Sequence, residues 1–322
     1  MTQKDHSHLE VEFINMKREL FNRQDTIYLR GLAIIAIVLH HVFQFTSSKY
    51  GVVYPFFLSI LLSNLGNMGC AVFFLLSGYG LSCSVKKNFP ISISYVYKHL
   101  IKLLEPFLFI WLIDTFFVHY LDSISITNLF TLSIYSNQYW FLKEIFLLYI
   151  IFLCPCVLCE KITPPPLLEM TILPTILVAV FIILKPDIFW WNTTLCFPMG
   201  VLCSLYKENI ANFYIKNRGA SISLSFVLFI ISFILSHYVS YFEILRAISF
   251  AIFVIMIVPY RRYNIKLFEI CSTESLKIYI FHVFLLQFYV LQNPIIYFAM
   301  VVVGTIVLLV IYNLIERCIA SI

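Results

Sequence analysis

His41 lies eleven positions after Arg30 in the run Leu29-Arg30-Gly31-Leu32-Ala33-Ile34-Ile35-Ala36-Ile37-Val38-Leu39-His40-His41, and His40 is the only polar side chain between them. On a helix, eleven steps of about 100° return to within about 20° of the start and climb about 16 Å. Both side chains therefore share one face at different depths. A guanidinium binds anions, and an imidazole takes or gives a proton near neutral pH. The pair reads as an anion clamp at the mouth of a pocket with a titratable base deep within it. The same residues also suit a bland reading, an arginine snorkelling at a helix end beside two hydrogen-bonded histidines.

A second group is Lys98-His99-Leu100-Ile101-Lys102-Leu103-Leu104-Glu105-Pro106. His99 and Lys102 are neighbours at i,i+3, and Lys98 and Lys102 at i,i+4. Such a cluster at a helix entrance could hold phosphate groups, or simply anchor the chain at a membrane face. Further ionisable residues, Asp114, Lys143, Glu144, Arg246 and His282, fall within apolar stretches. Each is costly in a bilayer and so a functional candidate. Lys143 and Glu144 are adjacent and face different ways; Arg246 or a first-helix histidine is the natural partner for Glu144. Asn192-Thr193-Thr194 fits a glycosylation sequon, a weak three-residue pattern. Cys154-Pro155-Cys156 with Cys159 has no histidine or second cysteine pair near it, so no metal site is expected.

These groups need a scaffold, and the composition names its class. Of 322 residues 61% are hydrophobic and 12% charged, where a soluble domain carries about 25% charged. Mean hydropathy is +0.90. A soluble enzyme, a disordered tail and a nucleic-acid binder are excluded, leaving an all-α, polytopic transmembrane bundle. The nine cysteines lie mostly in apolar segments and read as small apolar residues rather than a disulfide framework.

About ten spans are expected, near 29–46, 66–85, 99–120, 139–159, 167–184, 189–206, 220–238, 242–260, 276–292 and 294–315. The apolar stretch Tyr54 to Leu62 is too short to cross, and is either interfacial or an extension of the second span. Residues 1–28 read as a polar cytosolic segment, helical around Glu10 to Phe21, and residues 29–322 as the membrane domain. With both termini inside, seventeen of the 22 Lys and Arg fall on the cytoplasmic side, and the outer loops keep only Lys49 and Lys185. Neither an internal repeat nor a pair of broken helices is evident, which disfavours common transporter architectures.

Taken together, the motifs resemble the membrane-bound acyltransferase-3 family. Arg30-Gly31-Leu32-Ala33 through to His41 is similar to the family's first block, and Phe73-Phe74-Leu75-Leu76-Ser77-Gly78-Tyr79 to its second. The family's Arg-x-x-Arg before a proline falls on His99 and Lys102 ahead of Pro106, with both arginines replaced. Tyr139-Trp140-Phe141-Leu142, Phe197-Pro198-Met199-Gly200 and Ser275-Leu276-Lys277-Ile278-Tyr279-Ile280-Phe281-His282 resemble later blocks, and Glu144 lies one residue from where longer members keep an acid. The resemblance runs from about Asp25 to the end. Longer members append an extracytoplasmic esterase-like domain, for which no segment is seen.

The resemblance implies transfer of an acyl group, acetyl as the first expectation, from cytosolic acyl-CoA to a hydroxyl of a surface polysaccharide or its lipid-linked precursor, in a bacterial inner membrane. His41 is then the general base, with Glu144 as a second catalytic candidate. Arg30, Lys98, His99 and Lys102 are the candidate donor-binding residues, and His40, Ser77, Gly78, Trp140 and His282 the candidate pocket. The expected partners are acyl-CoA as co-substrate, a glycan acceptor and membrane lipid, with no permanently bound cofactor and no nucleic acid. Direct transfer ranks ahead of an acyl-histidine relay. A transporter or flippase, with His41 relaying protons, is the alternative from another class, and a structural subunit of a polysaccharide synthase a third.

Overall fold

The computed structural model describes residues 22–118, 139–158, 164–184, 187–258, 265–288 and 293–321, all of them in helices, turns or irregular connections. The helix expected near Glu10 to Phe21 lies outside these residues.

Helix α1, Arg23–Tyr50, begins with a reciprocal cap: Asn22 Oδ1 accepts from the Asp25 amide at 2.9 Å, and the Asp25 carboxylate accepts from the Asn22 amide at 2.8 Å. It ends at Gly51, whose φ of 64° is the left-handed conformation that glycine adopts without steric cost. Its 28 residues rise about 42 Å, more than a bilayer core. Helix α2, Phe56–Asn88, runs without a break, so the stretch from Tyr54 to Leu62 opens the second helix rather than forming one of its own. Helix α3, Ile93–Ile113, is capped by the Ser92 hydroxyl and passes into a π-helical turn at Asp114–Val118.

Then follow α4 (Trp140–Leu158), α5 (Pro164–Leu184), α6 (Cys196–Leu205), α7 (Lys207–Lys216), α8 (Arg218–Ser236), α9 (Phe242–Ile257), α10 (Lys266–Thr273), α11 (Ser275–Leu286) and α12 (Pro294–Ala320). Among the described residues α1, α2, α4, α8 and α12 are long and apolar enough to cross a membrane. The chain is a multi-pass helical membrane protein.

Helix α2 is the hub. Phe74, Leu75 and Leu76 are buried almost completely, and the helix packs along both α1 and α6. Its crossing with α6 is set by glycines from both sides. A Cβ at Gly78 would lie 2.0 Å from the Phe197 carbonyl oxygen, and one at Gly200 would lie 1.9 Å from that of Leu75. Only backbones bare of side chains reach this separation.

The segment expected as a sixth continuous span, 189–206, is different. It opens with a short 3-10 turn, Ile188–Trp190, and only the ten residues of α6 are α-helical. Ten residues rise about 15 Å, half a bilayer core. Between turn and helix lie Trp191, Asn192, Thr193 and Thr194, all buried. Irregular backbone at this depth is tolerated where protein encloses it or where it lines a cavity. The hydropathy of the segment hid the interruption because the tryptophans and Leu195 flank it.

Candidate functional site

One stripe of α1 organises the site. Asn22, Arg23, Thr26 and Arg30 line a cavity of about 230 Å³ with Leu76, Tyr79, Gly80 and Lys207. Arg30, Ile34 and Ile37 line a second of about 150 Å³ with Phe73, Ser77, Leu103, Phe141, Ile145, Tyr149, Ser275, Leu276 and Tyr279. Ile37, His40, His41, Gln44 and Phe45 line a third of about 470 Å³, joined by Asn67, Cys70, Trp140, Phe189, Asn192, Glu243, Arg246 and Tyr279 among others. The positions 23, 26, 30, 34, 37, 41 and 44 recur at three, four or seven, the repeat of one helix face. Arg30 borders the first two cavities. Ile37 and Tyr279 form the wall between the second and third. The three are in file along α1: a cationic mouth, a narrow middle and a wide chamber, the last two lined mostly by apolar surface with a few polar side chains.

His41 lines the chamber and is paired with His282, which was expected in the pocket but lies behind His41 and is not among the lining residues. His41 Nδ1 lies 2.8 Å from His282 Nε2, and His282 Nδ1 lies 2.8 Å from the Ile278 carbonyl oxygen. A carbonyl only accepts, so His282 Nδ1 carries hydrogen and donates. In neutral His282 the Nε2 must then accept, which makes His41 Nδ1 the donor. The neutral His41 ring is left with its lone pair on Nε2, the arrangement a general base needs. His282 is completely buried, and its ring stacks on that of His41 with centroids 5.1 Å apart. His40 serves differently: its Nδ1 donates to the Leu62 carbonyl at 2.8 Å. Its ring fills the space that Gly66 leaves open, since a Cβ at Gly66 would lie 2.4 Å from it.

Glu144 is completely buried but is not among the residues lining the chamber. One carboxyl oxygen accepts from the Thr194 hydroxyl, and the other, Oε2, is enclosed without a hydrogen-bond partner. The partner expected for it is engaged elsewhere: Arg246 is paired with Glu243 three residues earlier on α9. The sequon threonine, Thr194, is thus spent on an internal carboxyl, and Asn192, 7% exposed, faces the chamber.

The remaining candidates separate. Trp140 lines the chamber beside His40 and His41. Ser77 lines the middle cavity, where it shares a hydrogen bond with Tyr149, whereas the neighbouring Gly78 serves the α2–α6 crossing. Lys98 and Lys102 are exposed. His99, half-buried, bonds through Nδ1 to the Tyr95 carbonyl at 2.9 Å. None of the three is among the described residues bordering the cavities in file; the Lys and Arg side chains that are there are Arg23, Arg30 and Lys207 at the first two and Arg246 at the third. The α1 stripe extended one heptad back from Arg30 reaches Arg23, and three residues on from His41 it reaches Gln44, so both were within reach of the spacing. Asn67, Lys207 and Glu243 come from other helices and carried no local signal.

A helical membrane bundle with a paired, half-buried histidine beside a file of cavities defines an integral membrane protein with a candidate site inside the bundle. The chain matches the family described as "Acyltransferase domain" over residues 25–314. It belongs to that family, the acyltransferase-3 family. No curated protein and no solved structure matches the chain significantly.

Proposed function

We propose that this membrane acyltransferase moves an acyl group, acetyl in the first instance, from cytosolic acyl-CoA to a hydroxyl of a surface polysaccharide or its lipid-linked precursor. The observation that carries this reading is the order of the three cavities. Coenzyme A thioesters have a highly anionic nucleotide end, a long thin arm and a thioester at the tip. Arg23, Arg30 and Lys207 at the mouth suit the phosphates. The narrow middle suits the arm, with Ser77, Tyr149 and Ser275 beside its amides. The tip then arrives at the Ile37–Tyr279 wall, next to the chamber that holds His41.

In this reading His41 Nε2 takes the proton of the acceptor hydroxyl as its oxygen attacks the thioester carbonyl carbon. The carbon–sulfur bond breaks, and the leaving sulfur takes that proton from the imidazolium to depart as the thiol. His282, holding Nδ1–H of His41, orients the ring and stabilises the imidazolium that forms; the same logic serves a triad's third member. His282 is a positioning residue, and so is Glu144, which acts through Thr194 and the buried 191–195 turn rather than on substrate. Lys98 and Lys102 would meet the donor only as a diffuse positive surface. With the cationic mouth cytoplasmic, both termini lie inside, about ten segments cross the inner membrane with the sixth crossing through its interrupted turn, and the chamber opens toward the outer face.

The test is made in the parent cell. Wild type and His41→Ala are expressed at equal membrane levels, and ester-linked acyl groups on surface glycans are followed by NMR. The ester resonance is expected with wild type and not with His41→Ala. Identical glycans in both strains would remove the reading.

A further inference from the structure

The chamber carries more fixed chemistry than removing a proton from a hydroxyl requires. Among the described residues lining it, only Glu243 and Arg246 belong to the Asp, Glu, Lys and Arg set, and they are bonded to each other. Arg246 is 7% exposed. Its terminal nitrogens reach Glu243 and the Ser236 hydroxyl, while Nε is enclosed with no partner. On α2, Asn67 presents the opposite polarity: Oδ1 is enclosed and has no partner. An enclosed donor and an enclosed acceptor left unmade are each costly, and a ligand supplying both bonds recovers that cost. Trp140 and Phe189, with ring centroids 5.6 Å apart, add an aromatic surface. Gln44 and Asn192 add further amides.

Resting on the transfer reading above, we infer that the chamber takes its acceptor as an uncharged polyhydroxyl ring, the end of a neutral saccharide, with Arg246 Nε and Asn67 Oδ1 as its fixed donor and acceptor. A pyranose presents C–H faces to aromatic rings and hydroxyls to amides, which is the division of surface found here. At about 470 Å³ the chamber has room for a small ligand of this kind. Charge sets the discrimination. Among the described lining residues the one guanidinium is already paired with Glu243, so the carboxylate of an acidic sugar meets no unpaired Lys or Arg there and faces Glu243 itself. Arg246 therefore acts as a neutral-sugar donor and not as an anion receptor, and Glu243 is the residue that makes it so.

The experiment uses the full chain in lipid nanodiscs, titrated to the solubility limit with methyl hexopyranosides and the matching methyl hexuronides of the gluco, galacto and manno series. Members of each pair differ only in CH2OH against carboxylate, and binding is read from the shift in thermal unfolding. At least one neutral glycoside is expected to bind, with its uronide weaker by about tenfold or more. Glu243→Gln releases Arg246 and is expected to narrow or reverse that order. Asn67→Asp adds negative charge without touching the ion pair and is expected to widen it, which keeps the test open if Glu243→Gln folds poorly. Equal or tighter binding of the uronides by the unaltered protein overturns the inference, as does binding of neither series, or an order that both variants leave unchanged. Acetyl-CoA titrated into the same preparation tests the transfer reading separately: its failure to bind strikes that reading and leaves the sugar comparison to stand or fall by itself.

Discussion

Two groups of basic residues are equally prominent along this chain, and the fold treats them in opposite ways. His41 on α1 lies against a second imidazole 241 positions away, which in turn is fixed by a backbone carbonyl of its own helix. Lys98 and Lys102 on α3 project outward from an exposed first half of their helix, and His99 is spent on the carbonyl four residues earlier. The first group has partners that determine which nitrogen carries hydrogen. Among the described residues the second has none that would hold its charges in place. Spacing identifies a face; partners from other helices decide whether that face has a defined chemistry.

That contrast can be broken most sharply at His41. His41→Ala removes the base and is expected to lower transfer by about 10²- to 10⁴-fold, measured as acyl ester formed per inserted protein. His282→Leu leaves the base but frees its Nδ1, and a fall of about 10- to 100-fold in kcat is expected, with KM for the donor unchanged and partial recovery in His282→Gln, whose amide oxygen can accept from His41. A kcat that does not recover with glutamine would reduce His282 to a packing role. Arg30→Gln is expected to raise the donor KM about tenfold with a smaller effect on kcat, since a charge-assisted contact to phosphate is lost. The double change Lys98→Ala with Lys102→Ala is expected to alter donor KM by about twofold or less, because exposed charges contribute little. A loss at these lysines larger than that at Arg30 would invert the comparison.

Much of the architecture could be read from composition. The apolar blocks gave the helical membrane class, and the Arg30–His41 spacing gave the stripe of α1 that borders all three cavities. Of the Ser77-Gly78 pair, both candidate pocket residues, Ser77 lines the middle cavity while Gly78 lies against the backbone of Phe197. What the sequence could not carry was pairing over long separations. Nothing local links Thr194 to Glu144 or ties Arg246 to Glu243 rather than to Glu144. The turn at Trp191 to Leu195 was hidden for a different reason: aromatic and aliphatic residues keep hydropathy high while Asn192, Thr193 and Thr194 leave the helix. Sliding windows average over such a break, and in this protein the break supplies a chamber residue and the partner of a buried acid.

The most direct test of the account is a single-turnover assay with the purified chain in lipid nanodiscs, radiolabelled acetyl-CoA and a saccharide acceptor. Wild type, His41→Ala and the Lys98→Ala, Lys102→Ala double variant would be compared at equal folded concentration. Label is expected to pass to the acceptor with wild type and with the lysine variant at similar rates, and not with His41→Ala. Undiminished transfer by His41→Ala, or loss of transfer confined to the lysine variant, would contradict a reaction centred on the histidine pair.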